Sequence, residues 1–279
     1  MVRAASASVV RISAERRFPE RPLHAVWAAR ELLLVLAKRD VYLRYQHSFA
    51  GISWAILQPL LTVLVLSAFQ LLMGNRQTTG VPYPLYAATA LVPWTFVVHA
   101  LTQASHSLPK HMGVINKVYF PRLILPLSAV MGAAADFAVG MALPPALMIY
   151  YGIAPGLTLL ALPIFVAQAV ALAAAAGIWL ACLNARFRDT ANSLPFVTQL
   201  WFFLTPIAYT TDIIPPQWQL LAGLNPMLGI LEGFRWALVG VASPWLGTWI
   251  AMSWLVILAL LGSGMLVFLR SEESLADFL

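Results

Sequence analysis

The chain is poor in charge, holds one cysteine, and lacks the short motifs on which most enzymes build their chemistry. Asp, Glu, Lys and Arg make up 10% of its residues against 61% hydrophobic ones. A soluble domain carries roughly a quarter charged residues. A water-facing globule is therefore excluded, and lipid is the solvent for most of this surface. The single Cys182 excludes an internal disulfide and every multi-cysteine metal motif, and leaves the redox compartment unread. No Gly-Lys pair occurs, so the phosphate-cradling loop of a nucleotide hydrolase is missing. His-Glu-x-x-His, Cys-x-x-Cys and Gly-x-Ser-x-Gly are missing too, and no apolar run holds two carboxylates for acid-base work. Intrinsic catalysis and metal binding are not expected.

What the chain does have is apolar length. A helix needs about 20 mainly apolar residues to cross the hydrocarbon of a bilayer. Six runs qualify, at 52–74, 85–107, 123–151, 157–183, 194–211 and 245–269. Between the last two, 212–244 is apolar but broken by Pro215, Pro216, Gly223, Pro226, Gly229, Gly233 and Gly240. Its helical pieces, 217–224 and 227–239, are too short to cross, and we read them as a re-entrant pair dipping in from outside. The expected fold is an all-α membrane protein with six transmembrane helices.

Of 17 Lys and Arg residues, all but Arg76 and Arg235 precede the first run or fall in connections that share its side. Short loops rich in Lys and Arg stay in the cytoplasm, so both termini are expected there, and the basic balance needs no nucleic acid to explain it. A seventh crossing would move Arg270 to the opposite side. Residues 1–23 lack the apolar core of a secretory signal and read as a cytoplasmic tail. One membrane domain, 52–270, follows the segment 24–51, and a short cytoplasmic tail, 271–279, closes the chain.

Within 24–51, the stretch 24–45 is helix-prone but interrupted by charge. Ala25, Ala29, Leu32, Leu36 and Leu43 fall on one side at helical spacing, with Trp27, Lys38 and Tyr45 roughly opposite. That suits an amphipathic helix at the cytoplasmic interface, although a charge cluster that merely sets topology would look similar. Prolines in or beside the first five runs imply kinks, whose freed carbonyls need protein or water partners. The small-residue run 171–177 and the pair Gly229 and Gly233 permit close helix approach.

Asp136 is the one carboxylate deep in an apolar run, which makes it a functional candidate by default. A bond to a neighbouring helix or a place on a wet cavity explains it more simply than a proton relay, for which His99 and His106 are the available partners. Among the candidate pathway aromatics Trp54, Trp94, Trp201, Phe202 and Phe203, the last three lie within a proline-bracketed run, where rings lining a passage could slide against sugar C–H faces, and plain packing between helices accounts for any single ring equally well. Three consecutive rings on a helix cannot all face one cavity, so of Trp201, Phe202 and Phe203 only one or two are expected to do so.

The stretch 38–60, KRDVYLRYQHSFAGISWAILQPL, resembles the opening signature of polysaccharide-exporting ABC transporter permeases. NKVYFPR at 116–122 with LPLS at 125–128, then Arg188-Asp189, FLTPIAY at 203–209, Ile214-Pro215, LNPM at 224–227 and Arg235 follow that family's order. The resemblance covers nearly all of 24–269. The Arg44-Tyr45-x-x-Ser48-x-x-Gly51 form with Gln58-Pro59 is more similar to O-antigen and related lipid-linked polysaccharide exporters than to capsule exporters. Ala50 departs mildly, standing where a Leu is usual.

The resemblance implies a homodimer working with two copies of a separate ATPase, which would hold the ATP and magnesium; this chain would carry no cofactor of its own. Short cytoplasmic helices at 110–119 and 185–192 would dock on that ATPase through Asn116, Lys117, Tyr119, Arg188 and Asp189. Arg39, Arg44 and Tyr45 would meet the diphosphate of a lipid-linked glycan, since an arginine fork suits phosphate oxygens. Glu232 and Arg235, spaced i,i+3, would sit in an outer gate. A drug- or lipid-exporting permease of the same fold remains the alternative.

Overall fold

A computed structural model describes residues 22–46, 48, 51–72, 80–115, 120–187 and 189–271, and every regular element among them is helical. In chain order they are α1 (Pro22–Ala28), α2 (Arg30–Tyr45), α3 (Trp54–Leu72), α4 (Tyr83–Lys110), α5 (Met112–Ile115), α6 (Ile124–Gly140), α7 (Leu143–Tyr151), α8 (Leu162–Arg186), α9 (Asp189–Leu204), α10 (Gln219–Ala222), α11 (Pro226–Val239) and α12 (Leu246–Ser271). Five stretches are long and apolar enough to cross a membrane: Gly51–Leu72, Tyr83–Lys110, Ile124–Tyr151, Leu157–Arg186 and Leu246–Ser271. They coincide with five of the six runs read from the sequence.

The remaining run, 194–211, is helical only as far as Leu204. Pro206 has no N–H to extend the ladder, and the chain turns there, with Ile207 N–H donating to the Thr205 carbonyl at 2.7 Å. At 16 residues α9 is about 24 Å long, short of the roughly 30 Å of hydrocarbon. The pieces expected at 217–224 and 227–239 are present as α10, preceded by a 3-10 turn, and α11. Asn225 caps α11 by accepting from the Met227 N–H at 3.1 Å, with Pro226 at the first helical position, where its missing N–H has no cost.

The axis of the bundle is α4, buried along most of its length among α3, α6, α8 and α11. Lipid gives no hydrophobic reward for helix association, so these contacts depend on close packing through small residues. A Cβ on Gly177, at the end of the small-residue run of α8, would stand 2.9 Å from the Ala104 Cβ of α4. On α11, one on Gly229 would lie 2.5 Å from the Trp249 carbonyl, and one on Gly233 2.2 Å from the Phe165 ring. By contrast α3 buries only Pro59 and Val63 and exposes Leu61, Leu64, Val65 and Phe69. Pro59 deprives the Ala55 carbonyl of its helical partner, and Gly140 of α6 packs against that carbonyl.

The helix α2 lies along α6. The stripe Leu33, Leu36, Ala37, Asp40, Val41, Arg44 and Tyr45 recurs at three- and four-residue spacing and faces the bundle. Ala29, Leu32 and Leu36 of the expected apolar side pack against the bundle, but the last turn differs in rotation from the sequence expectation: Leu43 is 53% exposed, and Tyr45 turns inward. A polar acceptor on α6, described next, decides that rotation over the weaker apolar match.

Candidate functional site

Asp136 of α6 takes two donors from α2 and has a histidine of α4 beside it. Arg44, in the last turn of α2, pairs with its Oδ2; the Tyr45 hydroxyl donates to its Oδ1 at 2.6 Å; His99 Nδ1 of α4 lies 3.4 Å from Oδ2. The carboxylate thus neutralises the half-buried guanidinium of Arg44. Burial first, and then the neighbouring carboxylate, push the Tyr45 phenol up to about 12, so it remains a donor at any physiological pH.

This cluster lines a cavity of about 570 Å³ bounded by α2, α3, α4, α6 and α9. Gln58 and Thr62 reach it from α3, and Thr95, His99 and Thr102 from α4, each set at helical spacing. Trp54, Trp94 and Phe202 supply ring surface, and Trp94 meets Phe202 edge to face at 5.6 Å. The three consecutive rings of α9 diverge. Phe202 faces this cavity, Trp201 lines a second one on the far side of α9, and Phe203 is 66% exposed. Asp136 is thus bonded to a neighbouring helix and on a cavity wall, with His99 beside it.

Glu232 and Arg235 form an ion pair at 2.6 Å with almost no exposure. Arg235 also donates to the Pro206 carbonyl at 2.7 Å and sits 3.9 Å from the centre of the Tyr86 ring. Asn225 is a second junction, accepting from Trp201 Nε1 and donating to the Thr205 hydroxyl, both at 2.9 Å. Together these bonds fasten the turn after α9 to α11 and to the first turn of α4.

Arg39 and Arg44 do not share one site. Five residues apart, they point to different neighbours: Arg39 contacts Asp40 and the His111 Nε2, while His111 Nδ1 lies 2.8 Å from the Ser107 carbonyl. Lys110 completes that second cluster by pairing with Asp40 at 3.1 Å. Asn116, Lys117, Tyr119 and Arg188 lie outside the described residues; Asp189 is exposed at the start of α9. Sequence reasoning missed the polar stripes of α3 and α4, the Asn225 junction and the Arg39–His111 contact. The spacing of Thr95, His99 and Thr102 was the available signal.

The pattern of the ABC-2 type transporter family matches residues 31–239. The chain belongs to that family. The ABC-2 match opens within the first turn of α2 and closes at the end of α11, so it contains the Asp136 cluster, its cavity and the Glu232–Arg235 pair. Over 206 residues, 74% of this chain and 79% of the relative, this ABC-2 transporter is 30% identical to the O-antigen export system permease protein RfbA of Klebsiella pneumoniae. Over 218 residues, 77% of this chain and 83% of the relative, it is 28% identical to the O-antigen export system permease protein RfbA of Myxococcus xanthus. The inner membrane transport permease YadH of Escherichia coli K12 is 32% identical over 84 residues, 28% of this chain and 32% of the relative.

Proposed function

We propose that this ABC-2 transporter is the membrane permease of an ATP-driven exporter that moves a lipid-linked, O-antigen-like polysaccharide across the cytoplasmic membrane of a bacterium. The observation that carries this is the likeness to O-antigen export permeases over about three quarters of the chain, against 28% of it for YadH. ATP is hydrolysed on a separate ATPase, whose two copies work with two copies of this chain. The passage lies between the two copies, with Trp54, Trp94 and Phe202 among its rings and Trp201 and Phe203 flanking it. The α5 region and the α8–α9 connection, with Asn116, Lys117, Tyr119, Arg188 and Asp189, transmit the ATPase's motion.

The chain crosses six times with both termini in the cytoplasm. Supporting this, α9 starts beside the Arg186 end of α8, where Cys182 and Ser271 meet, and the turn after it ends where Tyr83 donates to the Ala208 carbonyl at 2.9 Å. Residues 189–208 therefore run from one end of α4 towards the other, although α9 itself is short. In the same topology α1 and α2 lie at the cytoplasmic interface, α10 and α11 are a re-entrant pair, and Glu232–Arg235 braces an outer gate. Arg44 and Tyr45 receive the substrate's diphosphate, while Arg39, expected to share that role, belongs to the separate cluster with His111 and Asp40.

Co-purification with the ATPase encoded beside this gene, followed by ATPase assay with and without lipid-linked glycan, tests the proposal. A stable complex stimulated by the glycan is expected. A complex stimulated only by amphiphilic drugs or phospholipid would replace polysaccharide as the cargo.

A further inference from the structure

Arg44 and Tyr45 on α2 converge on a single acceptor, the Asp136 carboxylate of α6, and His99 of α4 lies beside it, its Nδ1 3.4 Å from Oδ2. A guanidinium fork beside a phenolic hydroxyl serves a phosphate as well as a carboxylate, because both ligands offer clustered anionic oxygens. The cluster is not sealed: Arg44, Tyr45, His99 and Asp136 all line the cavity of about 570 Å³, so an incoming group has room beside the carboxylate. Arg44 is only partly exposed, so an anion at its guanidinium is favoured over none. Exchanging one anion for another keeps Arg44 paired and leaves the displaced carboxylate facing the open cavity, where water can reach it, whereas a neutral headgroup has nothing with which to displace Asp136.

We propose that Arg44, Tyr45 and His99 form an anion site for the phosphate of a lipid-linked substrate, and that Asp136 holds this site closed until that phosphate takes its place. The inference rests on the export function proposed above and adds to it a residue that sets which ligands gain access. Tyr45 suits such an exchange, since it stays protonated and always needs an acceptor. The exchange also has a structural output. Asp136 ties the last turn of α2 to α6, and one to two turns earlier Val41 and Ala37 pack on Gly132 of α6 without polar bonds to it. Withdrawing Arg44 and Tyr45 from Asp136 frees the last turn of α2 from α6, beside the cavity wall that α3 forms.

The test is binding of a radiolabelled polyprenyl diphosphate to the full chain in nanodiscs of neutral phosphatidylcholine. Asp136→Asn is expected to bind about tenfold tighter than wild type, in the usual range of a coupling between two ligands for one site, and Arg44→Gln is expected to lose binding in either background. If Asp136→Asn binds no tighter while Arg44→Gln still loses binding, the carboxylate positions Arg44 and does not compete. That result overturns the inference and leaves the export function standing. If Arg44→Gln binds as wild type does, the diphosphate role of Arg44 falls and the inference with it.

Wild type alone provides a second measurement should Asp136→Asn not accumulate. Competition with an internal carboxylate predicts affinity rising steeply from polyprenol through polyprenyl monophosphate to polyprenyl diphosphate; equal affinities overturn the proposal. Replacing part of the phosphatidylcholine with phosphatidylglycerol should leave diphosphate binding unchanged. Loss of binding there would assign the site to bilayer headgroups and overturn the substrate assignment.

Discussion

Asn184 of α8 donates its side-chain amide, at 2.9 Å, to the backbone carbonyl of Ser105 in α4. That carbonyl would ordinarily accept from residue 109, which is a proline inside the helix and has no N–H to give. Both groups are buried, so the bond repairs a defect that water cannot reach. Asn184→Leu preserves volume but leaves the carbonyl unpaired, and should destabilise the protein by about 1–3 kcal/mol. Thermal unfolding in detergent measures it; an unchanged midpoint would mean that another group partners the carbonyl.

Gly229 and Gly233 face different obstacles. A methyl at Gly229 meets the Trp249 backbone, which cannot retreat without moving α12, whereas one at Gly233 meets the Phe165 side chain. Overpacking costs about 1–3 kcal/mol where neighbours can shift. Gly229→Ala should therefore be the more damaging, and Phe165→Leu should restore stability to Gly233→Ala but not to Gly229→Ala. Folded yield and unfolding midpoint for the four variants decide it, and equal rescue of both would contradict this packing.

The Glu232–Arg235 pair is a buried charge pair whose members cannot be removed singly without leaving the other unpaired. Glu232→Gln should destabilise by about 3 kcal/mol or more, with Arg235→Met similar and the double substitution milder than the sum. The midpoints of the double-mutant cycle test this. Additive losses would show that the two residues do not act together.

Much of this architecture could be read from composition, because span length and the spacing of small residues are local properties of the chain. Five runs emerged as spans, and Gly229, Gly233 and Gly177 sit at the close approaches that their lack of side chain permits. What could not be read was pairing across helices. Nothing in the neighbourhood of Asp136 says that Arg44, 92 residues earlier, is its partner, or that this bond turns Tyr45 inward against the apolar pattern of α2. The length of α9 was overread for a simpler reason: hydropathy continues through Thr205–Pro206, but the helix does not.

Tyr45→Phe should lower stability by about 2 kcal/mol, the value of a hydrogen bond to a charged acceptor. The phenol is raised from 10.0 to about 12 in the folded state, so its contribution is complete below pH 10 and is lost as pH climbs towards 12. The gap between wild type and Tyr45→Phe should stay flat through neutral pH and close in that alkaline window. Unfolding midpoints across the range check this; a gap that widens with alkalinity would reverse the sign and contradict the assigned donor.

On the proposed function, this chain supplies the opening and another subunit supplies the energy. Proteoliposomes containing the permease alone, or together with its ATPase, and loaded with fluorescent lipid-linked glycan measure this directly. Glycan should change leaflets only when the ATPase and ATP are both present. ATP-independent movement or chemical alteration of the glycan by the permease alone would contradict the account.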